Sequence, residues 1–396
     1  MSLKDIAKSA LPSSLIPPAR GLYRLLDSRH YYFPYLFRNG RANAPKELKF
    51  EITFRCNLRC VMCPLASQFD DPNSQIVQEW KREKELTTEE IYKMIMDAKE
   101  LGVKYFGITG GEPFIRKDLI DIISYSKIQG IRCGVLSNGV LIDQAMAERI
   151  VASGLDVLQF SLDGPKDIHN KIRKHHRGYE STLDAAHWIT EAKKKAGKKR
   201  PLLSFCCTIS AANIGHLLPL IDVAHEFDAS ISFGYLFYTT DEMIEQTNMI
   251  LHVGSAKGED QDISNELKAV DAQKLYEEVS QVKEYAGKIG VKATFEPDLK
   301  GDEIKRRFYD DTYAYVDKCF YPWYGTRVNP YGVVYPCSMN VSLGNIRQTP
   351  LYQIWNNKAY VDFRCSLKEH KLFPKCVKCC KLNNKLWNYL PSFNSL

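Results

Sequence analysis

The chain lacks any apolar run approaching the roughly 18–20 residues of a membrane span, and its start lacks the basic, apolar and small-residue succession of a signal peptide. A cytoplasmic protein is expected. A disulfide framework is equally out of place: the sequence holds 12 cysteines in 396 residues, and a reducing compartment keeps thiols free for metal ligation or catalysis. Charge of one sign is also scarce, with 54 Lys and Arg against 47 Asp and Glu, a net +7. That balance favours an anionic substrate or surface weakly and does not indicate nucleic acid. What is present is ordinary globular material, 44% hydrophobic and 26% charged, so disorder is not the default. The length suits one large α/β domain and a smaller one, at about 100–200 residues per domain.

Nine of the 12 cysteines fall into two groups, one near residue 60 and one from Cys319 onwards. In Lys49 to Pro64, KFEITFRCNLRCVMCP, an alternating apolar strand runs into Cys56, Cys60 and Cys63. Thiolates bind soft metals, and this spacing suits a loop wrapped around one face of an iron–sulfur cube better than the paired Cys-x2-Cys of a zinc ribbon. Three ligands would leave one iron open to a substrate or cofactor. The alternatives are three cysteines packing as small hydrophobes, or part of a structural zinc site completed from elsewhere.

From Leu48 the chain alternates strand and helix. Strands are expected at Leu48–Phe54, Val103–Ile108, Ile131–Leu136, Val157–Ser161, Leu202–Thr208 and Ser230–Tyr235, with Val291–Phe295 as a further candidate. Helices are expected from Thr87, where Glu90 completes a capping box and Gly102 ends the apolar spacing, at 118–127, 143–153, 181–196 and 214–227, and at Asp271–Ile289. Such repeats predict parallel strands with right-handed crossovers, and functional loops at the strands' carboxyl ends. The cysteine loop, Gly110–Gly111–Glu112, Ser137–Asn138 and Asp163 would then share one rim. The division expected is an N-terminal arm (1–47), a (β/α)6 core (48–240), a polar excursion with a connecting helix (241–318), a cysteine-rich region (319–380) and a tail (381–396). The aromatic arm could lie on a membrane surface, but packing across the main domain is preferred. Lys171 to Arg177 reads as a solvated basic loop, and 239–265 as a loop without periodicity.

Cys56-x3-Cys60-x2-Cys63 after the first strand, with Gly110-Gly111-Glu112-Pro113 after the second, resembles the radical S-adenosylmethionine (radical SAM) enzymes. The position before the third cysteine, commonly aromatic there, is Met62. The resemblance implies a partial (β/α)6 TIM-like barrel, a 4Fe-4S cluster on Cys56, Cys60 and Cys63, and S-adenosylmethionine (SAM) on the open iron, cleaved to a 5′-deoxyadenosyl radical. It implies that Gly110, Gly111, Glu112 and Pro113 receive the methionine amino group. Ser137, Asn138, Ser161 and Asp163 would lie beside the cofactor, and Arg173 would pair with its carboxylate.

Cys319 and Cys337 bracket Asn329-Pro330-Tyr331-Gly332, a turn that could bring them together across a hairpin. With Cys376-x2-Cys379 following, the pattern resembles the SPASM/twitch extensions of radical SAM enzymes. The resemblance implies one auxiliary 4Fe-4S cluster on Cys319, Cys337, Cys376 and Cys379, with Cys380 the alternative ligand and Cys365 a spare thiol. A fully ligated cluster suits electron transfer, so the activity expected is a dehydrogenase-type radical SAM oxidoreductase. Its substrate would be a small-molecule, carbohydrate or lipid-linked compound bearing an anionic group, and its electron donor a flavodoxin or ferredoxin. The alternatives are a peptide maturase, an epimerase using Cys206 or Cys207 as hydrogen donor, and a zinc-stabilised binding protein. Adjacent strand residues face opposite ways, so one of Cys206 and Cys207 would face the barrel interior.

Overall fold

Alternation in β1 (Glu47–Glu51) sets the frame: Leu48 and Phe50 are fully buried against helices, while Lys49 and Glu51 turn to the other face of the sheet. The computed structural model describes residues 29–70, 77–78, 82–256, 270–380 and 382. After β1 come α1 (Pro64–Asp70), α2 (Thr88–Leu101), β2 (Tyr105–Thr109), α3 (Leu119–Ile128), β3 (Arg132–Ser137), α4 (Gln144–Ala152), β4 (Val157–Ser161), α5 (Lys166–Arg173) and α6 (Gly178–Lys195). The series continues with β5 (Leu202–Ile209), α7 (Leu220–Glu226), β6 (Ser230–Tyr235), α8 (Asp241–Ile250), α9 (Ala272–Ile289), β7 (Ala293–Glu296) and α10 (Asp302–Tyr309). Then follow α11 (Tyr321–Tyr324), β8 (Gly325–Val328), β9 (Val334–Tyr335), α12 (Leu351–Ile354) and α13 (Lys358–His370).

Strands β1 to β7 form the consecutive parallel series of a partial TIM-type barrel. β8 pairs in parallel with the outer edge of β1, and β9 returns antiparallel to β8. The hairpin around Asn329–Gly332 therefore extends the barrel's own sheet. The expected capping box is present, with Thr87 Oγ1 accepting from Glu90 N at 3.3 Å and Gly102 closing α2 at φ +92°. Apolar residues of α2, α3, α4 and α6 are buried against the outer face of the strands.

Several elements differ from the sequence reading. β1 stops at Glu51, three residues early, because beyond it the chain bonds the turn after β2 in place of a regular ladder. The 239–265 stretch, read as a loop, contains α8, capped by Thr240 Oγ1 accepting from Met243 N at 3.2 Å; residues 257–265 lie outside the described residues. The Lys171–Arg177 run is half helix, as the end of α5, where Ile172 is buried although its neighbours are cationic. Residues 29–37 are helical, and Tyr35 packs edge-on against Phe320 and Trp323 at 4.8 and 5.0 Å. The rest of the arm (1–28) and the tail, apart from Leu382, lie outside the described residues. Among the described residues no helix is long and apolar enough to cross a membrane.

Candidate functional site

Two main-chain bonds shape the cysteine loop. Gly111 N donates to Thr53 O at 2.7 Å and Glu112 N to Arg55 O at 2.9 Å, so the turn after β2 lies flat against the run into Cys56. Only glycine allows this approach: a Cβ on Gly110 would sit 2.3 Å from Thr53 O, and one on Gly111 2.2 Å from Arg55 O. Val61 N donates to Ile172 O at 2.9 Å, tying the loop's far side to α5. Cys60 is buried while Cys56 and Cys63 are half-buried. Burial above all pushes the Cys56 thiol up to about 11, against the donation of Leu58 N to its Sγ.

Glu112 departs from the expected rim acceptor. It is 1% exposed, and its carboxylate accepts from Phe114 N at 3.1 Å, Ser137 Oγ at 2.9 Å and Asn138 N at 2.8 Å. Burial raises its pKa to about 7, with those three donors pulling the other way. It thereby locks the turn after β2 to the end of β3, while Pro113 starts a buried 3-10 turn beneath. Asn138 Nδ2 reaches back to Asn57 Oδ1 at 2.9 Å, linking β3's end to the cysteine loop.

Asp163 also lies deeper than an exposed cofactor contact would. Fully buried, it accepts from Arg173 Nε at 2.6 Å and from Thr208 N at 2.9 Å, and Arg173 Nη2 lies 2.6 Å from the same carboxylate. The two-pronged pair aims the guanidinium at the loop, with Arg173 Nη1 3.7 Å from Cys60 Sγ. Ser161 lies opposite Cys206 in the β4–β5 register. Cys206 shares the half-exposed interior face and hydrogen-bonds with Ser161, whereas Cys207 is 2% exposed on the helix side beside Asn213. His169, absent from the sequence reading, holds this corner: its Nδ1 accepts from Asp163 N at 3.1 Å, and burial pushes the imidazole down to about 4.

Beneath this rim a cavity of about 270 Å³ opens inside the barrel. It is lined by Lys49, Glu51, Thr109, Leu136, Gln159 and Arg327 from the strands, together with Cys319, Cys337, Cys376 and Cys379. Two of its lining residues, Thr109 and Leu136, immediately precede Gly110 and Ser137 of the rim. Burial pushes Cys337 up to about 12, with Cys319 adding to it, and raises Cys376, on which Cys337, Cys319 and Cys379 also act. Cys380 does not line the cavity. Arg327 Nη1 donates to Glu51 Oε1 at 2.7 Å and also bonds Asn340 Oδ1. Sequence reasoning missed these charges, although Lys49 and Glu51 occupy the polar positions of β1's alternation. Nothing local marks Arg327, whose place depends on β8 joining β1.

The donor sets suit iron–sulfur ligation: one loop offers three thiols, and four more, Cys319 and Cys376 buried and Cys337 and Cys379 half-buried, line a common space. Residues 50–203 match the model of the radical SAM superfamily, and residues 319–380 match SPASM, an iron–sulfur cluster-binding domain. An AdoMet-dependent heme synthase of Methanosarcina barkeri is 26% identical over 356 residues, 85% of this chain and 89% of that one. A PqqA peptide cyclase of Granulibacter bethesdensis is 34% identical over 129 residues, 33% of this chain and 32% of that one. In fold the chain is similar to Streptococcus suis SuiB bound to the precursor peptide SuiA, with a TM-score of 0.59 at 16% identity, covering 91% of this chain and 78% of that one.

Proposed function

We propose, for a chain that belongs to the radical SAM superfamily and carries a SPASM iron–sulfur extension, that it is an enzyme oxidising a peptide whose side chain enters the cavity between the two cysteine sets. Cys56, Cys60 and Cys63 would hold the SAM-binding 4Fe-4S cluster, and Cys319, Cys337, Cys376 and Cys379 an auxiliary one. When bound, these groups supply the one-electron chemistry, reductive cleavage of SAM at the first and acceptance of the substrate's electron at the second.

The observation that carries this reading is a cavity lined both by barrel strands that lead into the rim, through Thr109 and Leu136, and by the second cysteine set. A group placed there would adjoin the second cysteine set and the strand ends that lead into the rim. Its volume of about 270 Å³ is just below the usual range for small-molecule pockets, about 300–1,000 Å³, which suits a side chain better than a macrocycle. A peptide substrate, named for the cyclase relative and for the SuiA complex, replaces the small-molecule, carbohydrate or lipid-linked expectation. Lys49, Arg327 and Lys375 against Glu51 make the lining net cationic, which favours a carboxylate near the reacting carbon. Arg173, held by Asp163 beside Cys60, is the candidate partner for the cofactor's carboxylate, and Gly110 and Gly111 keep the loop in place.

Cys206 supports a second reading. Its thiol is on the interior face across from Ser161, where it could return a hydrogen and make the outcome epimerisation. The test is anaerobic reconstitution followed by iron and zinc analysis, a dithionite-driven 5′-deoxyadenosine assay and mass spectrometry of short peptides encoded beside the gene. Iron, 5′-deoxyadenosine and a peptide lighter by two hydrogens are expected. Zinc in place of iron, with no 5′-deoxyadenosine, overturns the enzyme reading. A peptide of unchanged mass in ordinary water that is heavier by one deuterium when the reaction is run in deuterated water, with that gain lost in Cys206→Ala, selects epimerisation.

A further inference from the structure

Away from the barrel mouth, three side chains of a different ligating character meet. His252 lies in the turn after α8, and Glu369 and His370 end α13. One ligand atom from each lies within 4.8 Å of the other two. His252 Nε2 is 3.7 Å from Glu369 Oε2, and the two imidazole centroids are 6.0 Å apart. We propose that His252, Glu369 and His370 form a site for a divalent transition metal of the Zn²⁺ class, with water completing its coordination.

Two imidazoles and a carboxylate are a donor set that Zn²⁺ accepts at about 2.0–2.2 Å per bond, with no thiolate involved. His252 and Glu369, 48% and 63% exposed, have room to turn toward a common ion. The backbone beneath is already held. Ser366 Oγ donates to Ile250 O at 3.0 Å, and Lys375 N to Thr247 Oγ1 at 2.9 Å, so α8 and the chain around α13 are in register before any ion binds. The last turn of a helix also presents free carbonyls and the negative end of its dipole, which favour a cation. An ion here would clamp the exit of α8 to the segment that leads from His370, through Phe373, to Cys376.

The ordinary alternative is a surface ion pair between His252 and Glu369. Zinc titration of the reconstituted holoenzyme, whose two cluster-binding cysteine sets are occupied by iron, separates the two by calorimetry and by metal analysis after dialysis. One Zn²⁺ per chain is expected, weakened by about tenfold or more, the cost seen even for losing a group that only orients a ligand, by His252→Ala or His370→Ala, and also weakened by Glu369→Gln. No uptake by the holoenzyme, or uptake that survives both histidine substitutions, overturns the site.

Discussion

The two cysteine sets obtain the same ligand chemistry by opposite means. Cys56, Cys60 and Cys63 lie within eight residues, on a loop shaped by its own main chain and two glycines. Cys319, Cys337, Cys376 and Cys379 come from segments spread over the C-terminal region and meet only around a cavity. A local loop can leave a coordination position facing the rim. Thiols converging from separate segments enclose theirs, so the first set suits binding and the second suits electron transfer.

Removing one ligand from each set tests that contrast most strongly. Cys60→Ala should halve iron from about eight to about four per chain and abolish 5′-deoxyadenosine formation. Cys319→Ala should lose the same iron yet keep SAM cleavage measurable. Equal loss of cleavage in both would erase the distinction.

Next is the buried pair behind the first set. Asp163→Asn leaves Arg173 without its countercharge and should cost about 3–5 kcal/mol, read as a fall in Tm, with SAM affinity falling as the guanidinium loses its aim. A variant of wild-type stability would mean that the pair is not what positions Arg173.

Glu112 should give a pH signature of comparable size. Its carboxyl moves from an ordinary 4.5 to about 7 on folding, so the unfolded chain binds fewer protons between those values and stability falls as pH rises. The contribution, about 3 kcal/mol at most, is full below pH 4.5 and lost through pH 7. The Tm difference between wild type and Glu112→Gln should therefore shrink as pH rises across that window; a difference that is flat with pH would assign the carboxylate a constant charge.

Gly111→Ala introduces a methyl group 2.2 Å from Arg55 O. It should cost about 1–3 kcal/mol and lower iron at the first set alone. Loss from both sets would show that they are mechanically coupled. The smallest effect expected is from Cys380→Ala, outside the cavity lining: iron within error of eight per chain. A fall to about four would move the auxiliary ligand from Cys379 to Cys380.

Features legible in the sequence were those whose cause is local. The capping box at Thr87 and Glu90, the alternation of β1 and the glycine pair each depend on neighbours a few residues away. Features depending on distant partners were not legible. The sequence placed Asp163 beside the cofactor but not its burial, because the residues that enclose it, Arg173, Thr208 and Asn213, come from other elements. The helical character of α8 and α5 was hidden because each buries only a few residues among polar ones.

The sequence by itself determined the chemistry on offer: thiols at iron–sulfur spacing, glycines where backbones must touch, and strands whose apolar period requires a parallel sheet. Only the tertiary structure decided where that chemistry meets. β8 pairs with β1 rather than forming a separate hairpin, and that pairing brings Arg327 and the C-terminal cysteines to a cavity whose other walls are barrel strands. The physical reason is that a strand's edge bonds satisfy any partner of suitable twist, so the choice of edge rests on burial across the whole fold, which no local spacing records.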